Sequence, residues 1–172
     1  MNGLQRLNTR ANIHACSKRF DGGPVENLHY ADTLQARADL CRAVIRSAGE
    51  LVLKGFYGDA ERSISMKGPQ DFLTETDAAS EAHIRSMIEQ HFPQDTFFGE
   101  EGGGEIGARV WVVDPVDGTA NFARGIPHFC ISIAYVENGR TEIGAIYSPA
   151  LDELYFARRG DGATLNGKPI LV

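Results

Sequence analysis

The stretch Trp111–Phe122, WVVDPVDGTANF, sets the reading of the whole chain. It opens with an apolar run of strand type, ended by Asp114-Pro115. Pro115 stiffens the turn and removes one backbone donor. Asp114 and Asp117 on a rigid turn can converge on neighbouring cations, with the Val116 carbonyl between them as a third oxygen. Gly118 permits close backbone approach. Thr119-Ala120-Asn121-Phe122 reads as the first turn of a short helix, whose free amides would cradle a phosphate. Thr119 also offers a hydroxyl able to orient water. A turn capped by Asp114 and ended by Gly118 would explain a bare Asp-Pro-x-Asp-Gly. The apolar strand ahead of it and Gly99-Glu100-Glu101 upstream favour the chemical reading.

Outward from that loop, the acids Asp95, Glu100, Glu101, Glu105, Asp114 and Asp117 face one base, Arg109, in the same stretch. Carboxylates gathered at strand ends repel one another unless a cation sits between them. An oxygen-only donor set suits Mg²⁺, Mn²⁺ or Ca²⁺, and no Cys or His accompanies it to suggest zinc. The spacing is not that of a calcium-binding helix–loop–helix. The whole chain of 172 residues carries a net charge of −6, which disfavours binding nucleic acid through its phosphates. A phosphate ester could still be held where metal ions supply the positive charge.

The cysteines Cys16, Cys41 and Cys130 are odd in number and far apart, and read as buried reduced thiols of a cytoplasmic protein. No apolar run reaches membrane-spanning length. Residues 1–30 have no clear period and read as a disordered extension. The basic, acid-free character of the first twenty residues is a weak match to a transit peptide.

Residues 31–172 form the domain. Leu34, Cys41, Val44, Ile45, Ala48, Leu51, Val52 and Phe56 recur at helical steps, with Gly55 and Gly58 marking the end. A strand over 63–66 and re-entry near Phe72-Leu73 lead to a second helix from Asp77 to His91. Its cap is Thr76 or Asp77, and Glu81 is placed in its first turn. The remainder reads as β-structure: Val110–Val113, His128–Val136, Ile143–Tyr147, Leu154–Ala157 and Ala163–Leu165. Asn138-Gly139 and Asn166-Gly167 are hairpin turns. The fold class is therefore α+β, two helices packed on a mainly antiparallel sheet.

Three ordered elements carry a resemblance to a known family. WVVDPVDGTANF is similar to the signature of the inositol monophosphatase family of Mg²⁺-dependent, Li⁺-sensitive phosphatases. Phe98-Gly99-Glu100-Glu101 resembles that family's GEE element. KGPQDFLTETD, Lys67–Asp77, resembles its upstream segment of Lys followed by Asp-x-x-Thr-x-x-Asp.

The resemblance implies a layered α/β sugar-phosphatase fold and hydrolysis of a phosphate monoester by metal-activated water. Inositol monophosphate is the leading substrate. Histidinol phosphate, another sugar or nucleotide phosphate, and a non-catalytic regulatory role are the alternatives. Glu100 and Asp114, with the Val116 carbonyl, match ligands of a first metal. Asp114 and Asp117 match those of a second, and Asp77 lies near a further one. Two or three Mg²⁺ ions are implied, with Mn²⁺ possible. Thr119 matches the residue that activates water, with Asp77 and Glu100 as the assisting carboxylates. Asp117, Gly118 and Thr119 match the phosphate-binding positions, and Glu101 stands behind the metal ligands. A small phosphorylated substrate and a homodimer of the whole protein follow from the same resemblance, while the net charge and the lack of a spanning apolar run lead to the expectation of no direct contact with nucleic acid or membrane. The family's later Trp-Asp-x-Ala-Ala-Gly element has no match here. The expectation is thus an N-terminal portion of a longer enzyme, with weak turnover alone.

Overall fold

The computed structural model describes residues 32–58, 64–68 and 71–171. The expectations for residues 1–30, for Cys16 and for the Lys67 side chain lie outside the described residues. Helix α1 (Leu34–Tyr57) starts where the Thr33 hydroxyl accepts the Ala36 amide at 3.1 Å, satisfying one orphan donor of the first turn. It ends at Gly58. Gly55, expected with Gly58 to mark its end, lies within it, where a Cβ would run into the Thr76 side chain of the adjoining helix. The hairpin β1 (Ile64–Gly68) and β2 (Asp71–Thr74) leads into α2 (Glu75–His91).

The main sheet is built from β3 (Thr96–Gly99), β4 (Gly103–Gly104), β5 (Arg109–Asp117), β6 (Cys130–Glu137), β7 (Arg140–Ser148), β8 (Glu153–Arg158), β9 (Gly162–Leu165) and β10 (Lys168–Ile170). Its spatial order is β10-β9-β8-β7-β6-β5-β3-β4. Every neighbouring pair is antiparallel except β3–β5, which is parallel. The short helix α3 (Thr119–Ala123) follows β5. Asn138 and Gly139 adopt positive φ at 50° and 75°, and Asn166 and Gly167 do so at 49° and 77°, as tight hairpins require.

Helices α1 and α2 cover one sheet face. Val44, Ile45 and Val52 of α1 and Ile84 and Ile88 of α2 pack there on Trp111, Ile131, Ile133, Tyr135 and Ile143. Each fully buried aliphatic side chain contributes about 1.5–3 kcal/mol. The other face leaves Phe98, Val112, Ile146 and Tyr155 exposed, and Phe98 pairs with Val112 and Ile146 with Tyr155 across the strands.

Three expectations are corrected. The apolar strand does not end at Val113. It continues to Asp117 through a register shift between Asp114 and Asp117, a bulge that accommodates the missing Pro115 donor. Strand β3 went unrecognised, because it is short and pairs with a partner remote in sequence. The second helix begins at Glu75, so Asp77 lies within its first turn rather than capping it, and Glu81 falls a turn later.

Candidate active site

The parallel pairing of β3 with β5 brings two remote loops to one place. Gly99 lies opposite Val113, so Glu100 leaves β3 just where Asp114 begins the bulge of β5. The Glu100 amide donates to the Val113 carbonyl at 3.0 Å, tying the loop to the strand. Asp114 is half-buried. Burial, the hydrogen bond to Glu100, and the charges of Glu100 and Asp117 push its carboxyl up to about 7, while the Val116 amide opposes them at 3.1 Å. Like charges this close to a half-buried carboxyl favour the protonated form of Asp114.

Asp117 is exposed at the end of the bulge, opposite Cys130. The Cys130 thiol donates to Asp117 Oδ2 at 3.6 Å. Burial and the Asp117 charge push this thiol up to about 12, so it stays protonated at neutral pH. The expectation of a buried thiol holds for Cys41 but not for the half-exposed Cys130.

A second group meets the same loop from α2. Asp77 is fully buried in the first turn of that helix, where the dipole favours an acid. Thr119 Oγ1 lies 3.2 Å from Asp77 Oδ1 and 2.9 Å from the Val116 carbonyl oxygen. The hydroxyl has one proton for these two acceptors. Gly118 precedes α3 at φ 92°, a conformation that suits glycine, and a Cβ would press on the His128 carbonyl at 3.1 Å. The Asn121 and Phe122 amides both bond to the Gly118 carbonyl, leaving the amides ahead of them outside the helical ladder. Asn121 Nδ2 donates to the His128 carbonyl at 2.8 Å, anchoring the return of the chain towards β6. His128, expected to open that strand, lies ahead of it, since pairing begins at Cys130.

The structure thus places Glu100, Asp114 and Asp117 in one group, and Asp77, Thr119 and the Val116 carbonyl in another, joined by residues 114–119. Among the described residues, no three His, Cys, Asp or Glu side chains stand together tightly enough to form a ready metal group. The donor chemistry nevertheless fits a hard divalent cation. The donors are all oxygen, and the like charges of Glu100 and Asp117 beside Asp114 mark where positive charge is wanted.

Asp95, grouped with these acids in the sequence, belongs elsewhere. It precedes β3 and lies at the far end of the strand pair, buried beneath Arg37, which grips it through Nε and Nη2 at 2.7 Å each. Trp111 Nε1 donates to Asp95 at 3.1 Å, and Arg109 Nε lies 3.3 Å away. Burial pulls the Arg37 pKa down, but the Asp95 and Asp32 carboxylates outweigh it and raise the value. Glu81 is the residue that sequence reasoning passed over. Its only signal there was helix position, whereas its buried carboxylate accepts the Glu101 and Gly102 amides at 2.8 and 2.9 Å.

A profile of the inositol monophosphatase family matches residues 34–172. The chain belongs to the inositol monophosphatase family. Within that family, the fructose-1,6-bisphosphatase/inositol-1-monophosphatase of Thermotoga maritima is 39% identical over 136 residues, 79% of this chain and 53% of that protein. The Nus factor SuhB of Escherichia coli K12 is 44% identical over 125 residues, 71% of this chain and 47% of that protein. The solved extragenic suppressor protein SuhB of Bartonella henselae has a TM-score of 0.77 at 34% identity, covering 80% of this chain and 54% of that one. The chain spans about half the length of the curated relatives it matches. As a family member it carries the layered α+β phosphatase fold. No helix among the described residues is long and apolar enough to cross a membrane.

Proposed function

We propose that this chain carries the metal- and phosphate-binding residues of a Mg²⁺-dependent phosphate monoesterase, with inositol monophosphate as its leading substrate. The observation that carries this reading is the convergence of Glu100 from β3, Asp114 and Asp117 from β5 and Asp77 from α2 on the loop ending in Thr119. Glu100, Asp114, Asp117, Asp77 and the Val116 carbonyl would hold two or three Mg²⁺ ions, or Mn²⁺ in their place. Bound there, the ions would neutralise phosphoryl charge and lower the pKa of water.

The chain's own groups do the positioning. When Thr119 donates to Asp77, its oxygen is left to accept a hydrogen bond from water, so Asp77 orients the hydroxyl and the hydroxyl would orient the water. Glu100 assists as a second carboxylate beside Asp114. The Gly118 and Thr119 amides and the Asp117 region receive the phosphoryl oxygens, as preorganised donors do where charge develops. Asn121-Phe122 after Asp117-Gly118-Thr119 favours inositol phosphate over nucleotide bisphosphates. Histidinol phosphate is the alternative, and the name of the Thermotoga maritima relative adds fructose 1,6-bisphosphate. Li⁺ sensitivity, a cytoplasmic location and a homodimer of the whole protein belong to the same proposal.

A second reading, a non-catalytic regulatory protein, draws support from the relatives named Nus factor. The net charge of −6 weighs against direct contact with nucleic acid. Phosphate release is to be measured with inositol monophosphate, histidinol phosphate, fructose 1,6-bisphosphate and a nucleotide bisphosphate. Both the 172-residue chain and the product of its whole gene are to be assayed. Expected are Mg²⁺-dependent release by the whole product, weak release by the chain alone, and a loss of about 100- to 1000-fold in Asp114→Asn. Absence of metal-dependent release from all of these esters by the whole product overturns the enzymatic reading.

A further inference from the structure

We propose that Glu81 of α2 is a positioning residue that presets the Glu100 loop for a divalent cation. This rests on the metal site just described and adds a residue outside it. Glu81 is 5% exposed, and its two carboxylate oxygens take the consecutive amides of Glu101 at 2.8 Å and Gly102 at 2.9 Å. Those amides directly follow Glu100. A carboxylate that accepts two neighbouring backbone donors fixes the plane of the peptide chain between them, and charge-assisted bonds of this kind are the strong ones. The Glu100 amide is held from the other side by the Val113 carbonyl at 3.0 Å, so Glu100 is clamped between α2 and β5.

The local sequence yields to this carboxylate. A Cβ at Gly99 would collide with it, and a Cβ at Gly102 would stand 2.7 Å from Glu81 Oε1. The glycines flanking Glu100-Glu101 are there because Glu81 fills the space. Arg85, one turn on, touches Glu81 at 3.4 Å and donates to the Gly103 carbonyl at 3.0 Å, bracing both ends of the contact. Thus α2 delivers Asp77 to Thr119 directly, and delivers Glu100 to Asp114 through Glu81.

The test uses the full chain, with Mn²⁺ affinity read by electron paramagnetic resonance and backbone amide exchange read by NMR. Glu81→Gln keeps the shape but offers one oxygen where two amides need acceptors. It is expected to weaken Mn²⁺ binding about 10- to 100-fold, as loss of a group supporting metal ligands does. It is also expected to speed exchange at Glu101 and Gly102 while leaving Trp111–Val113 protected. Glu81→Asp, which keeps the charge but is shorter, should recover part of the affinity. Glu89→Gln on the same helix should change neither reading. Should Glu81→Gln fail to fold, Arg85→Ala replaces it, with the same pattern at smaller amplitude. Unchanged Mn²⁺ affinity in the folded Glu81 variants, with binding still lost in Asp114→Asn, overturns the role of Glu81 alone. Absence of Mn²⁺ binding by the unaltered chain, or binding that Asp114→Asn leaves intact, overturns the metal site together with it.

Discussion

The two ends of the β3–β5 strand pair hold similar acids in opposite circumstances. At the start of the strands, Asp95 is buried but fully answered: Arg37 grips both oxygens, Trp111 donates an indole N–H, and Arg109 stands close by. At the finish, Asp114 has Glu100 and Asp117 as its charged neighbours, and all three carry the same sign. One end is closed and electrostatically complete, as structural acids are. The other stores repulsion that only protons or cations relieve. Burial by itself therefore does not set the state of these acids. The identity of the neighbours does.

The largest expected effect breaks the closed end. Asp95→Ala leaves Arg37 buried without its partner and should cost about 3–5 kcal/mol, read by urea unfolding. Gly99→Ala attacks the contact between α2 and the acidic end by driving a Cβ into the Glu81 carboxylate. A loss of about 1–3 kcal/mol is expected, together with weaker Mn²⁺ binding. If Gly99→Ala leaves both readings untouched, the close approach of α2 to the loop is wrong.

At the open end the sign reverses. Asp114→Asn removes a charge that its neighbours oppose. Without divalent ions at pH 8 it should stabilise the fold by about 1–2 kcal/mol, a figure reduced for partial exposure. The pH dependence follows from the raised carboxyl. With a folded pKa of about 7 against an ordinary value of 3.8, the folded state holds this proton more tightly than the unfolded chain. Its favourable contribution is present at acid pH and is lost as pH rises towards and through 7. Metal-free melting temperature should fall from pH 5 to pH 8, and the smaller rise produced by Mg²⁺ should grow over the same interval. Asp114→Asn should flatten both curves in differential scanning fluorimetry. A metal-free melting temperature that climbs with pH, traced to Asp114, would contradict the repulsion described here.

Much of this was legible in the sequence, for local reasons. The apolar period of α1 and the Asn-Gly turns of the hairpins are short-range signals, and residues 111–122 carry an apolar strand and a helix start in one run. What escaped depends on contacts between distant segments. Asp95 and Asp114 look alike in a list of acids. Only the parallel register shows that they occupy opposite strand ends, with Arg37 arriving from α1 to claim one of them. Glu81 was assigned to the helix dipole because nothing adjacent in sequence reveals the two amides that it accepts. The strand nature of the Asp-Pro-Val-Asp segment was hidden by Pro115, which the bulge tolerates.

The parallel pairing of β3 with β5 has a further consequence. Each residue of a strand advances about 3.3 Å, and a slip that keeps the same faces inward must be two residues long. Such a slip of β3 along β5 would carry Glu100 roughly 6.6 Å away from Asp114. The Arg37–Asp95–Trp111 knot at the strand starts, with Thr96 Oγ1 bonded to the Arg109 carbonyl at 2.9 Å, acts as the stop that forbids it. The salt-bridged end is thus a length gauge for the acidic end.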